Sequence, residues 1–210
     1  MHPDPGSGNI MKAVGTNKSV AIIELGQGHQ ECIEAQVIFL KKAGYEVYLV
    51  LSGKITSHMS PECLMNPVFR HSVSGSGDYA ELRRIARFIR ENKIRVAVFN
   101  TAENAIVRNM ILLLHGINCF GILHNISKIK SSWTQKIISW KIKRYFILND
   151  YLARSLSPRL QKKTVSFYPI FFPPSLSSWK MDKPDNEFWI TIPGQLEFKR
   201  RNYEFLIDVA

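Results

Sequence analysis

Cysteine is scarce: the 210 residues hold three, Cys32, Cys63 and Cys119, and no CxxC pair. An odd, scattered set argues against a disulfide framework and a structural zinc site, and fits a reducing compartment. Long apolar runs are lacking as well. The longest candidate, around Met110–Leu114, is broken by His115 and Gly116, well short of the roughly 18–20 residues of a membrane-spanning helix. Met1–Asn9 is polar and rich in proline and glycine, with no apolar stretch behind it, so no secretory leader is expected. HExxH, GxSxG and a Walker lysine motif are all missing, which leaves metal catalysis and serine hydrolysis without support. Acidic residues are outnumbered, 17 Asp and Glu against 28 Lys and Arg, for a net charge of +11.

That charge is concentrated. Residues 118–181 hold eleven basic residues and one acidic residue, Asp150. Such a segment suits a polyanion, whether nucleic acid, anionic lipid or a phosphorylated small molecule; the plainer alternative is a basic, solvated surface. With 45% hydrophobic residues the chain reads as globular. Its length suits one domain, or one domain and a piece of another.

After a Pro- and Gly-containing lead over 1–18, strands and helices alternate. The expected strands are Ser19–Leu25, Tyr45–Leu51, Arg95–Thr101, Asn118–His124, Tyr145–Asn149 and Thr164–Ile170. The expected helices are Glu31–Ala43, Asp78–Asn92, Ala102–His115, Ser131–Arg144 and Asp150–Leu156. In the first, Cys32, Ala35, Gln36, Phe39 and Ala43 form one stripe, and Gly44 stops the helix. The second opens on an Asp78-x-x-Glu81 capping box and turns Leu82, Ile85, Ala86 and Ile89 inward. Unbroken apolar strands alternating with helices predict an α/β fold, a Rossmann-like three-layer parallel sheet. Ligands of such sheets bind beyond the carboxyl ends of the strands. The loops of interest therefore begin at Gly26, Asn100, His124 and Asn149. The stretch 171–187, with three prolines and three serines, reads as an interdomain linker, and 188–210 as the first strand and helix of a second α/β unit.

Four motifs stand at informative places. Gly26-Gln27-Gly28-His29-Gln30-Glu31 lies between a strand and a helix, the place of a dinucleotide fingerprint. Glu31 replaces its third glycine, however, and no acidic residue ends the second strand, which argues against NAD(P). The glycines would let backbone approach a ligand, or simply make a tight turn. His124-Asn125 closes a strand at the functional edge, where the imidazole could meet a substrate hydroxyl or move a proton, or be structural. On Ser131–Arg144, Trp133, Ile137 and Trp140 share one helical face, flanked by Lys136 and Lys143. That face suits a lipid headgroup layer, or else packs in the core or against a subunit. Lys199, Arg200 and Arg201 precede a helix and would suit a diphosphate, or form a solvated basic turn.

Taken in order, the Gly26–Gly44 loop and helix, FNTAEN, ILHN, FILND, FYPIFFP and ITIPGQLEFKRRNYEFLIDVA resemble the front half of a GT-B glycosyltransferase of the group-1, family-4 kind. The resemblance covers about 19–210. It implies an acceptor-binding Rossmann-like domain at 19–170 and the start of a nucleotide-sugar-binding domain at 188–210. The expected activity is sugar transfer from a nucleotide-diphosphate sugar to a polysaccharide or lipid-linked acceptor. The nucleotide sugar is a substrate, and no cofactor or metal is implied. His124 matches a histidine that touches the transferred sugar. Gly26, Gly28, His29, Glu31, Asn100 and Asn125 would line the acceptor side, and Lys199, Arg200 and Arg201 the donor diphosphate. Gln195 stands where the family often has Arg, and the family's paired-glutamate motif is absent, so transfer by this chain alone is not expected. A missing donor half or a second copy would then be a partner. A cytoplasmic place is expected, peripheral at the inner face of a membrane. Two alternatives stay open: a non-catalytic binding module or subunit of a split glycosyltransferase, and a polyanion- or nucleic-acid-binding α/β protein, although no nucleic-acid module pattern appears.

Overall fold

In this computed structural model the described residues run from 18 to 166, except for 27, 58, 76, 126–132, 148–152 and 155, and the side chains of 133–135. All belong to the first of two units, Met1–Phe172; the second, Pro173–Ala210, lies outside them. The linker, the second α/β unit and Lys199, Arg200 and Arg201 are therefore beyond the described residues, as is the side chain of Trp133.

Seven described strands form one parallel sheet: β1 (Ser19–Ile23), β2 (Glu46–Ser52), β3 (Val68–His71), β4 (Val96–Phe99), β5 (Asn118–Leu123), β6 (Ile142–Ile147) and β7 (Thr164–Ser166). Their order is β3-β2-β1-β4-β5-β6-β7, and every pairing is parallel. The winding reverses between β1 and β4, which makes their carboxyl ends the crevice where doubly wound sheets take ligands. The helices are α1 (Gln30–Lys42), α2 (Gly53–Thr56), α3 (Pro61–Leu64), α4 (Tyr79–Glu91), α5 (Ile106–Leu113), α6 (Trp133–Lys141) and α7 (Pro158–Gln161).

Period-two alternation divides the central strand between two cores. Val20 and Ile22 join Ile33 and Val37 of α1 on one face. Ala21 and Ile23 join α4, α5 and Ile138 of α6 on the other. All five β1 residues are buried, as a parallel sheet covered on both faces requires. The α4 face matches its periodicity, with Leu82, Ile85, Ala86 and Ile89 inside. Its cap is half of the expected box. The Asp78 carboxylate accepts from Glu81 N–H at 3.3 Å, while the Glu81 carboxylate turns to Ser72 N–H and to Arg84, at 3.3 and 2.7 Å.

Two local expectations change. The buried side of α1 is Cys32, Ile33 and Val37, not the stripe through Phe39 and Ala43, which are exposed. The helix expected to reach Arg144 ends at Lys141, and Ile142 begins β6, paired with Cys119. Lys143 is thus an exposed strand residue. At Gly121 of β5 an added Cβ would lie 2.5 Å from Ala102 Cβ and 2.9 Å from Ile142 Cδ1, so only glycine lets the layers close. The three thiols are buried. Burial pushes Cys32 up to about 11 and Cys119 up to about 12, so neither offers a thiolate nucleophile at neutral pH.

Candidate functional site

The switch point between β1 and β4 is organised by a residue that motif reading passes over. Glu24 follows β1 directly and is fully buried. Its Oε1 accepts from Gly26 N–H at 2.6 Å. Its Oε2 accepts from Asn100 Nδ2 at 2.8 Å and from the Thr101 hydroxyl at 2.6 Å. A buried carboxyl is costly unless its lone pairs are met, and here donors from the β1 and β4 loops meet them. Asn100 Oδ1 accepts in turn from Gln36 Nε2 of α1 at 2.8 Å. The network ties both loops and the first helix together.

Asn100 is itself fully buried and reaches the site through its carbonyl. His124 Nε2 lies 2.8 Å from Asn100 O. A carbonyl only accepts, so Nε2 carries the proton and Nδ1 keeps its lone pair. Burial, and then the charge of His29, hold the His124 imidazole down to about 4, against the opposing pull of the Asn100 carbonyl and Glu31. It is therefore neutral at physiological pH, a hydrogen-bond acceptor at Nδ1.

His29 lies parallel on it, ring centroids 3.7 Å apart and planes within 2°. The His29 backbone is left-handed, φ 63°, at the start of α1. Such a conformation is uncommon outside glycine and is enriched at functional sites. Its Nδ1 is 3.7 Å from Glu31 Oε1. The Glu31 carboxylate, as the polar partner of the ring, raises the His29 pKa, burial works against it, and the negative charges of Glu31, Glu24 and Glu103 add to the rise. The site thus pairs a neutral imidazole with a neighbour that favours its proton. Asn125 N–H donates to the buried Glu103 Oε1 at 3.0 Å.

His29, Glu31, Gly26, Asn100, His124 and Asn125 all follow β1, β4 or β5, as the sheet rule anticipates. The glycines differ. A Cβ on Gly26 would stand 2.8 Å from Glu24 Oε1, whereas one on Gly28 meets nothing within 4 Å. No motif marks Glu24 or His71 as a site residue, and Gln36 and Thr101 stand in the sequence only as members of a helical stripe and of FNTAEN. The available signal was an acid closing the otherwise apolar run SVAIIEL. His71 Nε2 donates to the Glu24 carbonyl at 2.8 Å, and its Nδ1 accepts from Val73 N–H at 3.3 Å. Among the described residues no group of three His, Cys, Asp or Glu could hold a metal ion. On α6, Lys136 is exposed and Trp140 is 65% exposed. The Lys141 ammonium sits 4.8 Å from the Trp140 ring centre.

No protein-family model and no curated protein matches the sequence. Solved structures do match in fold. MurG of Acinetobacter baumannii superposes with a TM-score of 0.55 at 14% identity, over 80% of this chain and 48% of that one. A glycosyltransferase of Rickettsia africae gives 0.51 at 9% identity, over 71% and 42%. Anabaena HepE, solved with UDP-glucose, gives 0.51 at 10% identity, over 72% and 43%. The fold is the Rossmann-like α/β arrangement of GT-B glycosyltransferases. The chain spans less than half the length of these neighbours.

Proposed function

We propose that this chain serves glycosyl transfer: residues 19–170 bind the acceptor, a polysaccharide or lipid-linked sugar, for a transfer from a nucleotide-diphosphate sugar. The observation that carries this reading is His124, a neutral imidazole fixed by the Asn100 carbonyl at the switch point of the sheet. An imidazole in that state accepts a hydrogen bond from a sugar hydroxyl without adding charge beside a leaving diphosphate. HepE was solved with UDP-glucose, and by analogy of fold a nucleotide sugar is the donor class proposed here. Lys199, Arg200 and Arg201 are the residues proposed to meet its diphosphate.

The exposed Trp140 with Lys136, Lys141 and Lys143 supports a further part of the reading, contact with an anionic membrane surface that carries a lipid-linked acceptor. An exposed indole with one ammonium group over its ring and further basic residues close in sequence suits such a surface. Among the described residues no helix is long and apolar enough to cross a membrane, so the contact proposed is peripheral.

The test uses membranes together with the soluble proteins of cells lacking only this gene, so that a donor half encoded elsewhere is present, supplied with radiolabelled nucleotide hexoses. Re-adding the purified chain should restore label in the glycolipid or polysaccharide fraction. No increase with any donor would overturn the proposal.

A further inference from the structure

At the same carboxyl edge of the sheet lies a second feature, a cleft of about 350 Å³. Its walls come from the loops after β1, β3 and β4: Leu25 and Gly26, Val73 to Gly75, and Asn104 to Ile106. The volume lies at the lower end of the roughly 300–1,000 Å³ of small-ligand sites. The walls are anchored from behind. Glu24 holds Gly26 through its carboxylate at 2.6 Å, and holds Val73 through its carbonyl and the His71 ring at 2.8 and 3.3 Å. Supported walls of this kind give a preformed site.

The chemistry of the walls selects the ligand. None of the described lining residues carries a charge. The start of α5, which could cradle an anion, has its donors occupied. Ile106 N–H is taken by Asn104 Oδ1 at 3.2 Å, Val107 N–H by Asn104 O at 3.0 Å and Arg108 N–H by Ala105 O at 3.2 Å. Glu24 lies directly behind Gly26, Glu103 precedes Asn104 and the His71 ring stands behind Val73, so the ionisable groups flanking the cleft are two carboxyls and an imidazole, with no Lys or Arg in its lining. What remains for a ligand is neutral and polar. The Asn104 Nδ2 faces Gly26, 3.7 Å from where a Cβ would stand, and Ser74 sits in the exposed rim. Leu25, Val73 and Ile106 supply an apolar floor for the C–H face of a ring.

We propose that this cleft seats one uncharged, hydroxyl-bearing sugar ring of the acceptor and excludes the acceptor's phosphate groups. The inference rests on the glycosyl-transfer reading for the word acceptor, and its test is independent of transfer.

The full chain is titrated by NMR with methyl glycosides of glucose, galactose, mannose and N-acetylglucosamine, and separately with inorganic pyrophosphate. At least one glycoside should show saturation transfer and shift the Gly26 and Ala105 amides, and pyrophosphate should leave those amides unmoved. Ser74→Trp, a change on the exposed rim, should weaken glycoside binding at least tenfold. Asn104→Asp keeps the oxygen that caps Ile106 and should weaken it by less than tenfold, since a sugar hydroxyl can donate to the new oxygen. Pyrophosphate shifting those amides, or no glycoside binding at all, would overturn the inference. Transfer with pyrophosphate in the cleft would sink this inference and leave the glycosyl-transfer reading standing. Glycoside binding without transfer in the membrane assay would do the reverse.

Discussion

His29 and His124 stack face to face with ring centroids 3.7 Å apart, and the two rings sit in opposite electrostatic settings. One is raised above the ordinary 6.5 by Glu31, and the other is lowered to about 4 by burial. The pair therefore titrates in sequence, with the exposed ring charging first.

An NMR titration of the imidazoles should show this directly. His29 should gain its proton above 6.5 and His124 only near 4. Glu31→Gln should return His29 toward 6.5. The signs for stability are opposite. For His29, the raised folded pKa gives stability that is complete below 6.5 and lost as pH rises through the folded value. For His124, the unfolded chain binds the extra proton between 6.5 and about 4, so stability falls as pH drops through that window. In thermal unfolding, His124→Gln should remove that acid-side loss; an unchanged difference curve would contradict the assignment.

Glu24→Gln tests the hub. The amide keeps one oxygen and turns its NH2 either against the Gly26 N–H or against the Asn100 amide and the Thr101 hydroxyl, so one side of the network meets donor with donor. The expected loss is about 1–3 kcal/mol in denaturant unfolding, the usual penalty for a buried polar group left unmet. A loss of only a few tenths would show that the loops do not depend on it.

Gly121→Ala should destabilise by about 1–3 kcal/mol, because its Cβ must displace Ala102 or Ile142 in a packed core. Gly28→Ala, where nothing lies within 4 Å, should be nearly neutral. Equal effects at the two sites would contradict the packing described.

Replacing Lys136, Lys141 and Lys143 by Glu should abolish sedimentation with phosphatidylglycerol vesicles at low salt and leave the unfolding midpoint close to wild type. Unchanged sedimentation would remove the membrane contact from the account.

Much of this was legible in the sequence, and where it was not the reason is physical. The α4 face was readable because charged Arg83, Arg84, Arg87 and Arg90 leave one apolar side. In α1 apolar residues lie almost all around, at Cys32, Ile33, Ala35, Val37, Ile38, Phe39 and Leu40. Packing on Val20 and Ile22 decides which face is buried. Ile142 continues the helical spacing from Ile138, yet pairing with Cys119, far away in the chain, makes it a strand residue. The four residues of β3, VFRH, are too short and polar to stand out. At the site, His29 and His124 follow from their places after strands. Glu24 did not, since its partners Asn100 and Thr101 lie 76 and 77 residues on.

The most direct test is His124→Ala in the membrane reconstitution. The account predicts that wild type restores sugar incorporation and that the variant, folded with an unchanged near-ultraviolet spectrum, is at least about tenfold slower, the loss of one hydrogen bond to substrate. A variant that restores incorporation as fully as wild type would contradict the role given to His124 and, with it, the placement of the site.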